Sequence, residues 1–250
     1  LLKTRIIPTV LYSGHTLVKS IKFAGLRRVG SPLQAIRVYD LREVDELIFL
    51  DIAATVEGRI PDTNLIDELA DYCFMPLTVG GGIRSVGNVR DLLRVGADKV
   101  SVTTEFARRP ELVSEIAKEF GSQCVVVGID VQGAGDDYNC VVAGGRERTE
   151  FSPITLARMA EEQGAGEILL TSVDQDGVMD GYDTELIEAV CDAVSIPVIV
   201  SGGAGKPEHF EAALAVGASA LAAASIFHFT ETTPRDIKAY LAGKGRAVRL

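Results

Sequence analysis

The stretch Ile196-Pro197-Val198-Ile199-Val200-Ser201-Gly202-Gly203-Ala204-Gly205 decides the fold. A β-branched run ends abruptly in small residues, just before a helical pattern that begins near Lys206-Pro207. This predicts a buried parallel strand whose C-terminal end opens into a loop of exposed backbone N–H groups, an arrangement suited to holding an anion. The same design recurs as Met75-Pro76-Leu77-Thr78-Val79-Gly80-Gly81-Gly82-Ile83. Two further pairs keep that spacing. Gly96–Thr104 corresponds to Gly217–Ser225, and Leu47–Asp51 to Ile168–Thr171, each offset by about 120 residues. The chain therefore reads as two half-barrels, approximately 1–122 and 123–250, forming one domain.

Working outward, strand-like runs are expected at Arg5–Val10, Glu46–Asp51, Met75–Val79, Lys99–Val102, Cys124–Asp130, Glu167–Ser172, Val198–Ser201 and Ala220–Ala224. Helical patterns lie between them. Ser31-Pro32 and Ser152-Pro153 place an N-cap before a Pro at the first helical position, and Thr63, Ser85 and Asp183 are further cap candidates. Helix ends are marked at Gly96, Gly121, Gly164 and Gly217. Eight strands alternating with eight helices predict an α/β fold of the (β/α)8 TIM-barrel class. A doubly wound open sheet would have fewer strands and a single phosphate loop at its switch point.

Bulk properties narrow the function. The 250 residues are 47% hydrophobic with no Trp, enough for a large aliphatic core. A net charge of −10 argues against a nucleic-acid binder, which carries a basic patch. The four cysteines show no CxxC or Cys/His spacing, and Cys73, Cys124 and Cys191 lie in or beside apolar runs, so buried thiols are expected. Three scattered histidines, His15, His209 and His228, assemble no metal set. Neither a metal nor a cofactor is expected. No signal-like apolar segment and no apolar run of about 18 residues is present, so a soluble cytoplasmic protein without membrane contact is expected.

Active sites of such barrels lie at the C-terminal strand ends. Two anion cradles fall there on opposite sides of the mouth: Gly81-Gly82 with Thr103-Thr104, and Gly202-Gly203 with Ala224-Ser225. Small hydroxyl side chains beside bare backbone amides suit phosphate oxygens, so the expected ligand is a small molecule carrying two phosphates. Ser201 and Thr171 end neighbouring strands. Between the cradles, Asp130 ends an otherwise apolar strand and is the candidate general acid or base, the alternative being a loop-capping Asp. Asp51 and Asp176, the latter in Asp174-Gln175-Asp176-Gly177, are candidate substrate contacts or turn residues. At the opposite face Arg5, Glu46, Lys99 and Glu167 begin strands with alternating sign, and inward-pointing side chains would form a paired charged layer.

These phrases together resemble the cyclase-subunit family of imidazole glycerol phosphate synthase. The similarity rests on Arg5-Ile6-Ile7-Pro8, Glu46–Ile52, Leu77–Arg84, Gly96–Ser101, Phe120–Cys124, Gly164–Ser172, Asp174–Gly177 with Gly181–Asp183, and Ser225–Phe229, and it spans essentially the whole chain. The resemblance implies a histidine-pathway lyase. It would take ammonia from a glutaminase subunit docked as a heterodimer partner on the N-terminal face. It would act on a bis-phosphorylated aminoimidazole ribonucleotide to give imidazole glycerol phosphate. By the same resemblance the cradles hold the two phosphates and Asp130 is one of two catalytic carboxylates. Lys19 sits on a mobile first loop, and Arg5, Glu46, Lys99 and Glu167 form an ammonia gate. The first strand departs from the family. Leu11 stands where the second catalytic Asp is expected, while Thr103 and Gly144 replace an Asn and a Ser often seen. The departure leaves an alternative: a cyclase-deficient paralogue that activates a glutaminase and conducts ammonia for sugar amidination in surface-polysaccharide biosynthesis.

Overall fold

A computed structural model describes residues 3–249. The chain runs β1 (Arg5–Tyr12), β2 (Leu17–Ile21), β3 (Ala24–Gly30), α1 (Pro32–Leu41), β4 (Leu47–Asp51), α2 (Thr63–Ala70), β5 (Leu77–Gly80), α3 (Val86–Arg94) and β6 (Lys99–Val102). It continues through α4 (Thr104–Arg108), α5 (Glu111–Phe120), β7 (Val125–Gln132), β8 (Asn139–Val142), β9 (Glu147–Arg148), α6 (Pro153–Glu162) and β10 (Glu167–Ser172). The last elements are α7 (Thr184–Cys191), β11 (Val198–Ser201), α8 (Pro207–Ala215), β12 (Ala220–Ala223), α9 (Ser225–Phe229) and α10 (Pro234–Gly243). Strands β1, β4, β5, β6, β7, β10, β11 and β12 pair in parallel in that order, and β12 returns to β1 through Arg5↔Ala220 to Pro8↔Ala223. The result is a closed eight-stranded (β/α)8 TIM barrel.

The period-2 alternation of each strand divides the core into two shells. On β1, Ile6, Val10 and Tyr12 pack outward with the helices, while Ile7 points inward. The inner shell is a compact apolar layer of Ile7, Ile48, Val126, Leu169, Ile199, Ala220 and Ala222, with Leu50 against it. This layer separates the two polar ends of the barrel.

Local structure departs from the sequence reading in several places. Two antiparallel hairpins, β2–β3 and β8–β9, stand where only loops were expected. The β2–β3 turn uses Lys22 and Phe23, both at positive φ (52° and 60°), in the conformation that two-residue hairpins normally fill with Asn-Gly. Strand β3 is exposed along nearly its whole length, so no buried face imprints an alternating pattern on its sequence. Helix α2 is capped by Asp62, which accepts from Leu65 N at 3.2 Å; Thr63 is its first helical residue and not the cap. Ser85, Ser152 and Asp183 cap α3, α6 and α7 through their side chains, whereas Ser31 makes no such bond. Cys73, Cys124 and Cys191, each near the end of a helical element, are only half-buried; Cys140 is the buried thiol. Short helices α4 and α9 follow β6 and β12 directly, adding to the expected helices. Among the described residues, no helix is long and apolar enough to cross a membrane.

Candidate active site at the mouth of the barrel

A cavity of about 360 Å³ opens at the C-terminal strand ends. Its wall contains Asp130, Lys19, Asp51, Thr171, Asp176, Gly177 and Ser201, together with both cradles: Gly81, Gly82, Thr103 and Thr104 on one side, Gly202, Gly203, Ala224 and Ser225 on the other. The strand ends converge on this space because all eight barrel strands run in one direction. Arg5, Glu46, Lys99 and Glu167 lie apart from it, at the opposite strand ends.

The cradles depend on glycine for room as well as for conformation. Gly81 (φ 104°) and Gly203 (φ 108°) press against neighbouring backbone, and an added Cβ would lie 2.1 Å from the Asp51 carbonyl oxygen or 1.8 Å from that of Gly181. Any side chain there would push the loop away from its neighbour. Beside each glycine pair a short helix begins, α4 after Thr103 and α9 after Ala224, so first-turn N–H groups without helical partners face this end. The two cradles differ in their hydroxyls. Thr104 Oγ1 accepts from the Ala143 N–H at 3.0 Å and so anchors the β8–β9 hairpin. Ser225 Oγ is buried and has no protein partner.

The carboxylates are not equivalent. Asp130, at the end of β7, has its pKa pushed up to about 7, chiefly by desolvation and further by the charge of Asp176, with the Thr171 hydroxyl opposing. A group poised there can both accept and release a proton near neutrality. Asp176 accepts two bonds from the buried Lys19 Nζ, at 2.8 and 2.7 Å, and its carbonyl accepts from Lys22 N. These contacts pin the β2–β3 hairpin across to the loop after β10. Asp51 is committed to structure: it accepts from Ala53 N and Ala54 N and forms a two-point ion pair with Arg59, at 2.9 and 3.2 Å. The sequence reading missed Arg59, since an ion pair folded back across a loop leaves no periodic trace.

Leu11 lines the cavity on β1 and carries no group that can move a proton. Thr9, two residues below it, also lines the cavity and was not anticipated. On the neighbouring strand β7, Gly128 leaves room for Thr103: a Cβ at 128 would lie 2.0 Å from Thr103 Oγ1. Among the described residues, no group of three or more His, Cys, Asp or Glu side chains is placed to hold a metal ion.

At the N-terminal end, the four predicted charged residues form a closed ring. Arg5 donates to Glu46 at 2.7 Å and to Glu167, and Lys99 donates to Glu46 at 3.0 and 3.1 Å and to Glu167 at 2.7 Å. Thr78 adds a bond to Glu46 at 3.0 Å. Burial alone would raise the Glu167 pKa, but bonds and charge from Arg5 and Lys99 outweigh it and hold the group below its ordinary value. Two cations and two carboxylates cancel, so the ring closes the barrel without net charge.

A family model described as "Histidine biosynthesis protein" matches residues 5–233. A protein of Hyphomonas neptunium named imidazole glycerol phosphate synthase subunit HisF is 49% identical over 250 residues, covering 100% of this chain and 99% of its own. One of the same name from Thermobifida fusca is 46% identical over 254 residues, covering 99% of each chain.

Proposed function

Because the chain belongs to the histidine biosynthesis protein family, we propose that it is the cyclase subunit of imidazole glycerol phosphate synthase. In this reading it takes ammonia from a glutaminase partner and joins it to a bis-phosphorylated aminoimidazole ribonucleotide. The products are imidazole glycerol phosphate and an aminoimidazole ribonucleotide. One observation carries the reading: a single barrel pairs a closed charged ring at one end with a cavity that has a glycine-rich cradle on each side at the other.

The cradles bind the two phosphates, with Ser225 Oγ and the first-turn N–H groups of α4 and α9 as donors. Thr171, Ser201 and Gly177 shape the wall between them, and the Lys19–Asp176 pair fastens the hairpin over the bound substrate. Asp130 moves protons during ring closure. With Leu11 in place of a second carboxylate, Asp130 serves in both directions, which a pKa near 7 permits. The partner docks on the N-terminal face, where ammonia passes the ring of Arg5, Glu46, Lys99 and Glu167. Leu41 and Phe74, each 83% exposed, lie toward that end and give a partner apolar surface to cover. Ammonia crosses the apolar layer as the neutral molecule, since ammonium would lose its hydration there.

Purified protein incubated with the bis-phosphorylated substrate and ammonium chloride at high pH should release the aminoimidazole product. Absence of turnover overturns the cyclase reading. Leu11→Asp should then be measured: turnover gained by that variant would place the defect at the first strand. The relatives' names do not favour the sugar-amidination alternative, whose support is the departures at Leu11, Thr103 and Gly144. Stimulation of a glutaminase without any cyclase turnover would revive it.

A further inference from the structure

Two buried side-chain polar atoms among the described residues lack a protein hydrogen-bond partner: Ser225 Oγ and Thr9 Oγ1. The first belongs to a phosphate cradle. The second has no role in anything described above. Thr9 is 6% exposed and sits on the inward face of β1, where Ile7 below it belongs to the apolar layer and Leu11 above it lines the cavity. Its register partner on β4 is Ile48, also of that layer. Thr9 therefore stands where the dry interior meets the floor of the cavity.

A hydroxyl buried without a partner is costly, and valine, of the same shape, would avoid the cost. A threonine at this point is explained if its partner arrives with the reaction. The surroundings limit what that partner can be. The neighbours on β1 and β4 are aliphatic, which disfavours a phosphate or any other ion. The Thr9 hydroxyl oxygen is almost fully enclosed by protein, so the visitor must be small. A neutral molecule with both a lone pair and N–H bonds matches a hydroxyl that donates once and accepts twice.

We propose that Thr9 binds ammonia. It is the hydrogen-bonding group β1 offers above the apolar layer, and it holds the nucleophile at the floor of the cavity that Asp130 lines. This rests on the cyclase reading for the source of the ammonia and stands on the geometry of Thr9 for the site.

The test is Thr9→Val, with Thr9→Ser as the conservative control. With ammonium chloride as nitrogen source, Thr9→Val should raise the KM for ammonia by about 2- to 10-fold, the equivalent of one ordinary hydrogen bond. The KM for the phosphorylated substrate should not move, and Thr9→Ser should restore the ammonia KM. An unchanged ammonia KM, or a shift confined to the phosphorylated substrate, overturns the proposal. A wild-type protein with no turnover would defeat the cyclase reading, and the site is then judged by crystallography. Crystals of the wild type should show an ordered water-sized molecule on Thr9 Oγ1 that is missing in Thr9→Val. A Thr9 hydroxyl bonded to a protein carbonyl, with no such molecule, would end the idea independently.

Discussion

The two ends of the barrel are built from similar materials and finished differently. At the N-terminal end, the two cations each reach both carboxylates, Thr78 takes up another carboxylate contact, and the charges sum to zero. At the C-terminal end, Ser225 and Thr9 keep unpartnered hydroxyls, two short helices begin beside the cavity, and burial pushes the Asp130 pKa up to about 7. The ring is complete without any visitor; the mouth is completed by one. Under the proposed function, the ring combines a structural part with the passage of ammonia, whereas the polar groups of the mouth serve binding and proton transfer.

The sharpest way to break this contrast is Asp130→Asn. Turnover should fall by about 10²–10⁴-fold, as for loss of a general acid or base, while the fold is retained. Steady-state rates beside a thermal melt would show it, and a collapse of the melt with the rate would erase the distinction. At the other end Glu46→Ala should destabilise the protein by about 3–5 kcal/mol in urea unfolding, because Arg5, Lys99 and the Thr78 hydroxyl lose a partner that is only 2% exposed. A shift under 1 kcal/mol would mean the ring is ornamental to stability.

Titration sharpens the contrast through opposite signs. Asp130 binds its proton more tightly folded, up to about pH 7, than unfolded, where a carboxyl titrates near about 4. As pH rises from about 4 to about 7 the unfolded state ionises first, so wild type should lose stability relative to Asp130→Asn and level off above. Glu167 is held below its ordinary value, so its contribution is present above the unfolded carboxylate range and is lost as pH falls through its folded pKa. Urea melts across that range, with Glu167→Gln as the second variant, separate the two. The smallest effect belongs to neither end: Arg90→Ala breaks the exposed pair with Glu119 on the helix layer and should change stability by no more than about 1 kcal/mol.

Much of this molecule is legible from its residues, for identifiable reasons. β-branched runs ending in glycine carry the barrel strands and both cradles, because burial on two faces and close backbone approach each constrain composition strongly. The strand-initial charges betray the ring because a charge at the start of an apolar strand has few other uses. What stays hidden lacks that kind of imprint. The β2–β3 turn is written Lys22-Phe23, so its positive φ angles give no Asn-Gly signal. Arg59 reaches Asp51 by folding back through a loop. Thr9 looks like any β-branched strand residue, and only the missing partner of its hydroxyl sets it apart.

The contact between Thr103 and Gly128 has a consequence for how this site can change over evolutionary time. With 2.0 Å between Thr103 Oγ1 and a hypothetical Cβ at 128, any substitution of Gly128 turns the Thr103 side chain away from its present place in the wall. The two positions are thus coupled. A side chain at 128 requires Thr103 to rotate or be replaced, and while it is there Thr103 Oγ1 cannot take its present position. A pair contributed by two neighbouring strands, neither of them a proton carrier, constrains how the wall of the cavity can vary.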